Sequence, residues 1–255
     1  MVLLVAGRLD YPLSLREAIH VGLLLRLREV AGSIEILSRH PSSITPINAL
    51  ARLVLETSVD IEYLCRHGDD DTYWRFALSG LKVELALAED LQARVAARGG
   101  SAEPMESRLV DASMERMHAD GFSTDDVVEA PKQWGPDFAS KLRAIGSDEP
   151  RHYLFFQRYP SSYIHGTWVS LRNTYIGHQD GGYVVYGDWQ ARNRASLLPA
   201  IGTVVCRALA AHIHTFHPED APLRSSVARI VEYLKATELA SGDFQNIPVH
   251  GMEEP

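Results

Sequence analysis

Cysteine is nearly missing from this chain: Cys65 and Cys206 are the only two in 255 residues. They stand far apart, with no Cys-x-x-Cys or Cys/His spacing, which disfavours a disulfide framework and a structural zinc site and leaves two small buried hydrophobes as the expectation. Long hydrophobic runs are missing too. No apolar stretch approaches about 18 residues, and the opening Met1-Val2-Leu3-Leu4-Val5-Ala6 stops at Gly7-Arg8-Leu9-Asp10 with no basic leader before it. The expectation is a cytoplasmic protein that makes no use of a membrane. Lysine is scarce, 4 residues against 21 arginines, and acidic residues outnumber basic ones to give a net charge of −8. That balance argues against a protein that coats nucleic acid through a dense basic surface, but it leaves room for a local basic pocket. The arginine excess fits a codon-biased genome or phosphate recognition equally well.

What is present suits a packed protein, because 45% hydrophobic and 23% charged residues rule out wholesale disorder and low complexity. Leu15, Ile19, Leu23, Leu27, Val30 and Ile34 recur at three- and four-residue steps and predict a helix over 13–39, capped by Ser14 and ended by Arg39-His40-Pro41. Thr45-Pro46 predicts an N-cap and first helical residue for a second helix reaching His67. The negative run Asp69-Asp70-Asp71 precedes a third, over 72–98, and a fourth fits 102–119. Pro131, Gly135, Pro136, Gly146 and Pro150 mark 121–150 as a surface connection with one short helix near 136–145. This connection is the candidate internal boundary of a single helical domain spanning 1–242. An aromatic-rich helical stretch follows over 151–178. Gly181-Gly182-Tyr183-Val184-Val185-Tyr186-Gly187 then predicts a small extended excursion or hairpin. Two further helices, 190–216 and 222–239, lead into a loose tail over 243–255. The expected fold class is all-α, a helical bundle of about six to eight helices.

Several familiar chemistries lack their motifs. No Gly-x-x-x-x-Gly-Lys, Gly-x-Gly-x-x-Gly, Gly-x-Ser-x-Gly or His-Glu-x-x-His occurs. Glu-x-x-His occurs at Glu17/His20, Glu115/His118 and Glu149/His152, but the further unpaired glutamates of a di-metal bundle cannot be placed, so no metal and no cofactor is expected. His212, His214 and His217 gather near a helix end, where an imidazolium complements the helix dipole. The Tyr and Trp residues of 183–189 either cover a core edge or stack bases.

Two segments carry more. The first is Arg172-Asn173-Thr174-Tyr175-Ile176-Gly177-His178. It resembles the Arg-x(4–6)-His signature of HEPN ribonucleases, helical proteins in which Arg and His of two protomers face one another and cut RNA without metal. About 2.7 bare matches are expected by chance in this composition and four occur, so the bare motif says nothing. With Asn directly after Arg the expectation falls to about 0.04, and only Arg172/His178 remains. The resemblance implies His178 as general acid/base, Arg172 as phosphate clamp, Asn173 orienting one of them, a homodimer and an RNA substrate, in stress or phage defence. A helix-end arginine and a satisfied histidine beside a loop is the alternative.

The second segment is Phe155-Phe156-Gln157-Arg158-Tyr159-Pro160-Ser161-Ser162-Tyr163-Ile164-His165-Gly166-Thr167-Trp168. With Ala51-Arg52-Leu53-Val54-Leu55-Glu56-Thr57 and Ile61-Glu62-Tyr63-Leu64, it resembles a bacterial family of helical proteins known only as a domain of unknown function, over about 45–216. Arg52, Glu56 and Asp60 fall on one helical stripe. If the stripe faces inward, Glu56 needs a partner: Arg52 locally, or Ser162 or His165 across the bundle. One reading is a buried polar network that sets helix register. The other is a binding cluster of Arg52, Glu56, Arg158, Ser162, His165 and Trp168 in a non-catalytic module with a protein or small-ligand partner.

Overall fold

A computed structural model describes residues 13–39, 44–147 and 197–241, together with 161, 164, 165, 167, 168, 171, 176–179 and 182–185, the last two stretches as backbone. The protein is all-α, a helical bundle. Its described elements, in chain order, are α1 (Leu15–Ser38), α2 (Ile44–His67), α3 (Asp70–Ala97), α4 (Pro104–Ala119), α5 (Thr124–Glu129), α6 (Phe138–Ala144), β1 (Ile176–Gln179), β2 (Gly182–Val185), α7 (Leu197–Phe216) and α8 (Ala221–Ser241).

Local signals account for most helix ends. The Ser14 hydroxyl accepts from the Glu17 amide while the Glu17 carboxylate accepts from the Ser14 amide, a capping box that starts α1 at its expected place. Glu17 is therefore spent on capping, which removes it from the Glu-x-x-His pair with His20. Asp69 accepts from the Thr72 amide at 2.8 Å and opens α3. Helix α2 already includes Ile44 and Thr45, so Pro46 sits inside the first turn and not at its first residue. Its missing N–H is tolerated there because first-turn amides have no intrahelical acceptor.

Two expectations need correcting. The 121–150 connection holds two short helices, not one. The unforeseen α5 is started by Ser123 and Asp126 in a second capping box. The extended excursion begins earlier than 181: β1 and β2 pair antiparallel, Ile176 with Val185, Gly177 with Val184, His178 with Tyr183 and Gln179 with Gly182. Residues 176–178 thus belong to a strand, in keeping with the β-branched and aromatic residues of the partner strand. Most of 151–175 and residues 190–196 lie outside the described residues.

The chain divides into two compact units, one made of 68–136 and the other of the segments on either side. The end of the 68–136 unit falls within the 121–150 connection. In that unit Leu78 and Leu85 of α3 pack with Met117, Phe122, Val127 and Ala130. Gly121, at φ +81, lets the chain turn at the end of α4 so that the Phe122 amide reaches the Met117 carbonyl at 3.1 Å. Lys82 donates to the Val128 carbonyl at 3.0 Å and to that of Ala130, closing the end of α5.

In the larger unit, Leu24, Leu27 and Ile34 of α1 meet Ile47, Val54 and Ile61 of α2, Ile201, Leu209 and Ile213 of α7, and Val227 and Val231 of α8. Each such aliphatic side chain, fully buried, stabilises the fold by roughly 1.5–3 kcal/mol. Gly202 allows close approach of α7 and α8, since a Cβ there would stand 3.0 Å from Leu234. Cys206 belongs to this core and Cys65 packs against it, both as free thiols. A smaller cluster joins Leu55 and Val59 of α2 to Leu142 and Ile145 at the end of α6.

Candidate functional site

Helix α2 carries the polar stripe, and the fold turns its residues toward three different partners. Arg52 Nε donates to Glu56 Oε1 at 2.7 Å, and Arg52 Nη1 donates to the Ser161 hydroxyl at 2.6 Å. Both members of the ion pair are half-buried, 24% and 32% exposed, so the pair is neither a freely solvated contact nor a dry one. The sequence offered Glu56 either Arg52 locally or Ser162 or His165 across the bundle, and the local Arg52 is its partner. The residue that Arg52 reaches is the neighbouring Ser161, and His165 is exposed, so it is not the buried partner of Glu56.

One turn further, Asp60 accepts from Lys141 Nζ at 2.8 Å. Burial pushes the Asp60 carboxyl up from its ordinary value, and the Lys141 ammonium only partly offsets this. At the end of α2, Arg66 donates to the Ile145 carbonyl at 2.9 Å and a His67 ring nitrogen lies 3.0 Å from the Ala144 carbonyl. These two side chains meet the last carbonyls of α6. Glu62, 3% exposed, takes Arg207 of α7 at 3.0 Å and Arg66 at 3.7 Å. Arg207 and Lys141 were not among the expected site residues, and Glu62 entered only within the Ile61-Glu62-Tyr63-Leu64 match. Glu62 lies two residues past Asp60 in an apolar run, which was the available signal.

Every carboxylate on this face of α2 is therefore held by a cation. Such a network sets the register of α2 against α6 and α7 and leaves no carboxylate positioned as a free general base. Among the described residues, no group of three or more His, Cys, Asp and Glu is arranged to hold a metal ion. An open depression of about 510 Å³ on the 68–136 unit, lined by His118, Gly121, Phe122, Ser123, Thr124 and Asp125, contains none of the expected site residues.

Of the imidazoles near the end of α7, His212 departs from the helix-end pattern. His212 is 2% exposed and packs against His20 of α1, with ring centroids 5.5 Å apart. Burial pulls both below their ordinary range, so His212 is neutral near pH 7 and does not act as an imidazolium on the α7 dipole. The physical reason is position: His212 faces the core one turn before the helix end, where the cost of burying charge outweighs the dipole.

Of the remaining expected site residues, Trp168 is half-exposed and His165 exposed, beside the exposed Ile164 and Leu171. His178 is placed only by its backbone, on β1 opposite Tyr183. Arg158, Ser162, Arg172 and Asn173 lie outside the described residues, as do Glu149 and His152.

Comparison with known proteins agrees with the resemblance carried by the α2 and 155–168 segments. The profile of a family of unknown function, DUF5677, matches residues 17–183, more than half of the chain. The chain belongs to this family. No curated protein and no solved structure matches it. The DUF5677 match runs from within the first turn of α1 through α6 and β1 to the first residues of β2. Helices α7 and α8 lie beyond it, yet they supply Ile201, Leu209, Ile213, Val227 and Val231 to the core that α1 and α2 share. No described helix is long and apolar enough to cross a membrane.

Proposed function

We propose that this DUF5677 protein is a metal-independent endoribonuclease whose site is built from Arg172, Asn173 and His178. The observation that carries the reading is the register of the hairpin: His178 stands directly across from Tyr183, six positions after an Arg-Asn pair. Opposed positions in an antiparallel pair share one face of the ladder, and in sequence this pair follows closely on Arg172-Asn173. RNA cleavage needs that combination. The ring stacks a base, the guanidinium offsets charge on the phosphorane, and the imidazole moves a proton. In the step itself the 2′-oxygen attacks the adjacent phosphorus and loses its proton, while the P–O5′ bond breaks and O5′ is protonated. The products are a 2′,3′-cyclic phosphate and a 5′-hydroxyl. The ion-paired carboxylates of α2 support the same reading, because their cations leave the chemistry to be sought elsewhere. A homodimer would supply the second His/Arg set.

Purified protein is expected to cleave single-stranded RNA in EDTA. His178→Ala and Arg172→Ala should each lower the rate by a factor of 100 or more with the helical circular dichroism unchanged, since general acid–base groups contribute about 10²–10⁴-fold. RNA that stays intact at high protein concentration, or cleavage that survives His178→Ala, overturns the proposal.

A second reading has its own support. Ile164, Trp168 and Leu171 are large apolar side chains 37–50% exposed, following a segment that Arg52 holds at Ser161. A non-catalytic module would use them to bind a protein. In that case Trp168→Ser abolishes complex formation in native extracts while His178→Ala leaves it intact.

A further inference from the structure

Helix α3 has two unlike sides. On one, Leu78 and Leu85 pack into the core of the 68–136 unit. Val83 and Leu87 stand two residues to either side of Leu85, about 200° of helical turn away, and so point outward. They are 72% and 51% exposed. With Phe76 and Gly80 they recur at steps of four, three and four residues, the spacing of a seam that pairs helices. Phe76 is partly buried, its ring edge-on to Trp134 at 5.0 Å. A Cβ at Gly80 would meet nothing within 4 Å, so the backbone there is open to a close approach.

Charge frames this seam at both ends. Asp71 and Arg75 are paired at 2.7 Å and Asp90 and Arg94 at 2.8 Å, all four 39–69% exposed. Along α3 the signs of these four run minus, plus, minus, plus, so the series read backwards is its own complement. A second copy laid antiparallel, with its Val83 over Gly80, brings Arg75 within two residues of rise, about 3 Å, of Asp90 on the other copy and on the same flank of the seam. Arg94 then comes opposite the run Asp69-Asp70-Asp71. Parallel pairing would set each of these charges against its like. Opposed charges beside an apolar seam set both partner and direction.

We propose that the outward side of α3 is a self-association surface: two copies of this chain pair antiparallel along it, Val83 of each seated over Gly80 of the other and Arg75 of each beside Asp90 of the other. The occupant is a second copy because the face is complementary to itself in both shape and charge. A bulky Val83 and a bare Gly80 lie three residues apart, and a two-fold axis passing between them serves both copies at once. The inference does not rest on the nuclease reading, since the 68–136 unit holds none of Arg172, Asn173 and His178.

Sedimentation velocity on the full chain, at concentrations up to about 100 μM, tests this. The wild type is expected to form a reversible dimer. Val83→Arg should weaken it by a factor of about 100 with the Tm of the monomer held within about 3 °C, because the site is exposed. Arg75→Glu and Asp90→Lys should each weaken it about tenfold. Mixing these two variants should restore the wild-type affinity, since every contact in the mixed dimer again joins opposite charges. The Arg75→Glu/Asp90→Lys double variant should also dimerise as the wild type does, which a parallel pair would not. A monomer at every concentration, or a dimer that survives Val83→Arg, overturns the proposal. So does a Tm lowered by more than about 3 °C in Val83→Arg, which would mean that this chain covers the face itself. A double variant or a mixture as weak as the single variants overturns the antiparallel pairing. RNA cleavage is no readout here, so this proposal and the nuclease reading fail separately.

Discussion

On α2 the partly buried Asp60 and the buried Glu62 each lie against a cation from another element, Lys141 and Arg207. On α7 the buried His212 lies against a second imidazole and a phenyl ring. Both regions take an ionisable side chain out of water, and they resolve the cost in opposite ways. A carboxylate near neutral pH would have to be raised by several units to lose its charge, so a cation is supplied and the charge is kept. An imidazole is already close to neutrality, so burial alone tips it and no partner is needed. Loss of water thus produces a fixed ion pair in one place and a neutral imidazole in another. The difference is set by how far the ordinary pKa lies from the working pH.

The largest effect that would break this contrast is expected from removing one partner on α2. Lys141→Met should cost about 2–4 kcal/mol at pH 7, because it leaves Asp60 inside without its cation. The Asp60 carboxyl, already raised by burial, would rise further. Its protonation would then shrink the deficit relative to the wild type at pH 5. Urea unfolding at the two pH values measures both, and a cost below about 0.5 kcal/mol would place the pair among ordinary surface contacts. The converse substitution on α7 has the opposite sign. His212→Phe should stabilise the protein by about 1 kcal/mol at pH 7.5, since it removes a buried donor that has no acceptor. A loss of 2 kcal/mol in the same urea experiment would mean that the imidazole is satisfied in solution. Between these extremes lies the half-buried Arg52. Arg52→Met is expected to cost about 0.5–1 kcal/mol and to quicken limited proteolysis around Ser161, whose hydroxyl it holds. The smallest effect belongs to Glu35 and Arg39, 68% and 72% exposed at 2.6 Å. Glu35→Ala should change stability by less than about 0.5 kcal/mol, with 0.5 M salt removing what difference there is.

How much of this could be read beforehand depends on distance along the chain. The capping of α1 by Ser14 and the acidic start of α3 were legible because cap and amide lie three residues apart. The stripe Arg52, Glu56, Asp60 was legible from its spacing, as was the internal Arg52–Glu56 pair. Its distant partners were not. Ser161 lies 109 residues from Arg52, and Lys141 lies 81 from Asp60. Ser161 and Ser162 are chemically identical, so only the backbone path decides which hydroxyl reaches the guanidinium. Helix α5 was missed although Ser123 and Asp126 form a capping box of the same kind as Ser14 and Glu17, because proline and glycine nearby dominated the reading. His212 was taken for a helix-end cation because its sequence neighbours say nothing of His20, which reaches it only through the packing of α1 on α7.

Helical character and the starting points of most helices are written into the residues locally, since helix periodicity and capping act within three or four residues and need no knowledge of the rest of the molecule. Tertiary structure alone decided which stripe of each helix is dry and what lies across from it. That choice turned Asp60 and Glu62 into members of ion pairs and His212 into a neutral core residue. Charge state inside a protein is set by water lost and partners gained, and both are consequences of segments far apart in the chain coming together.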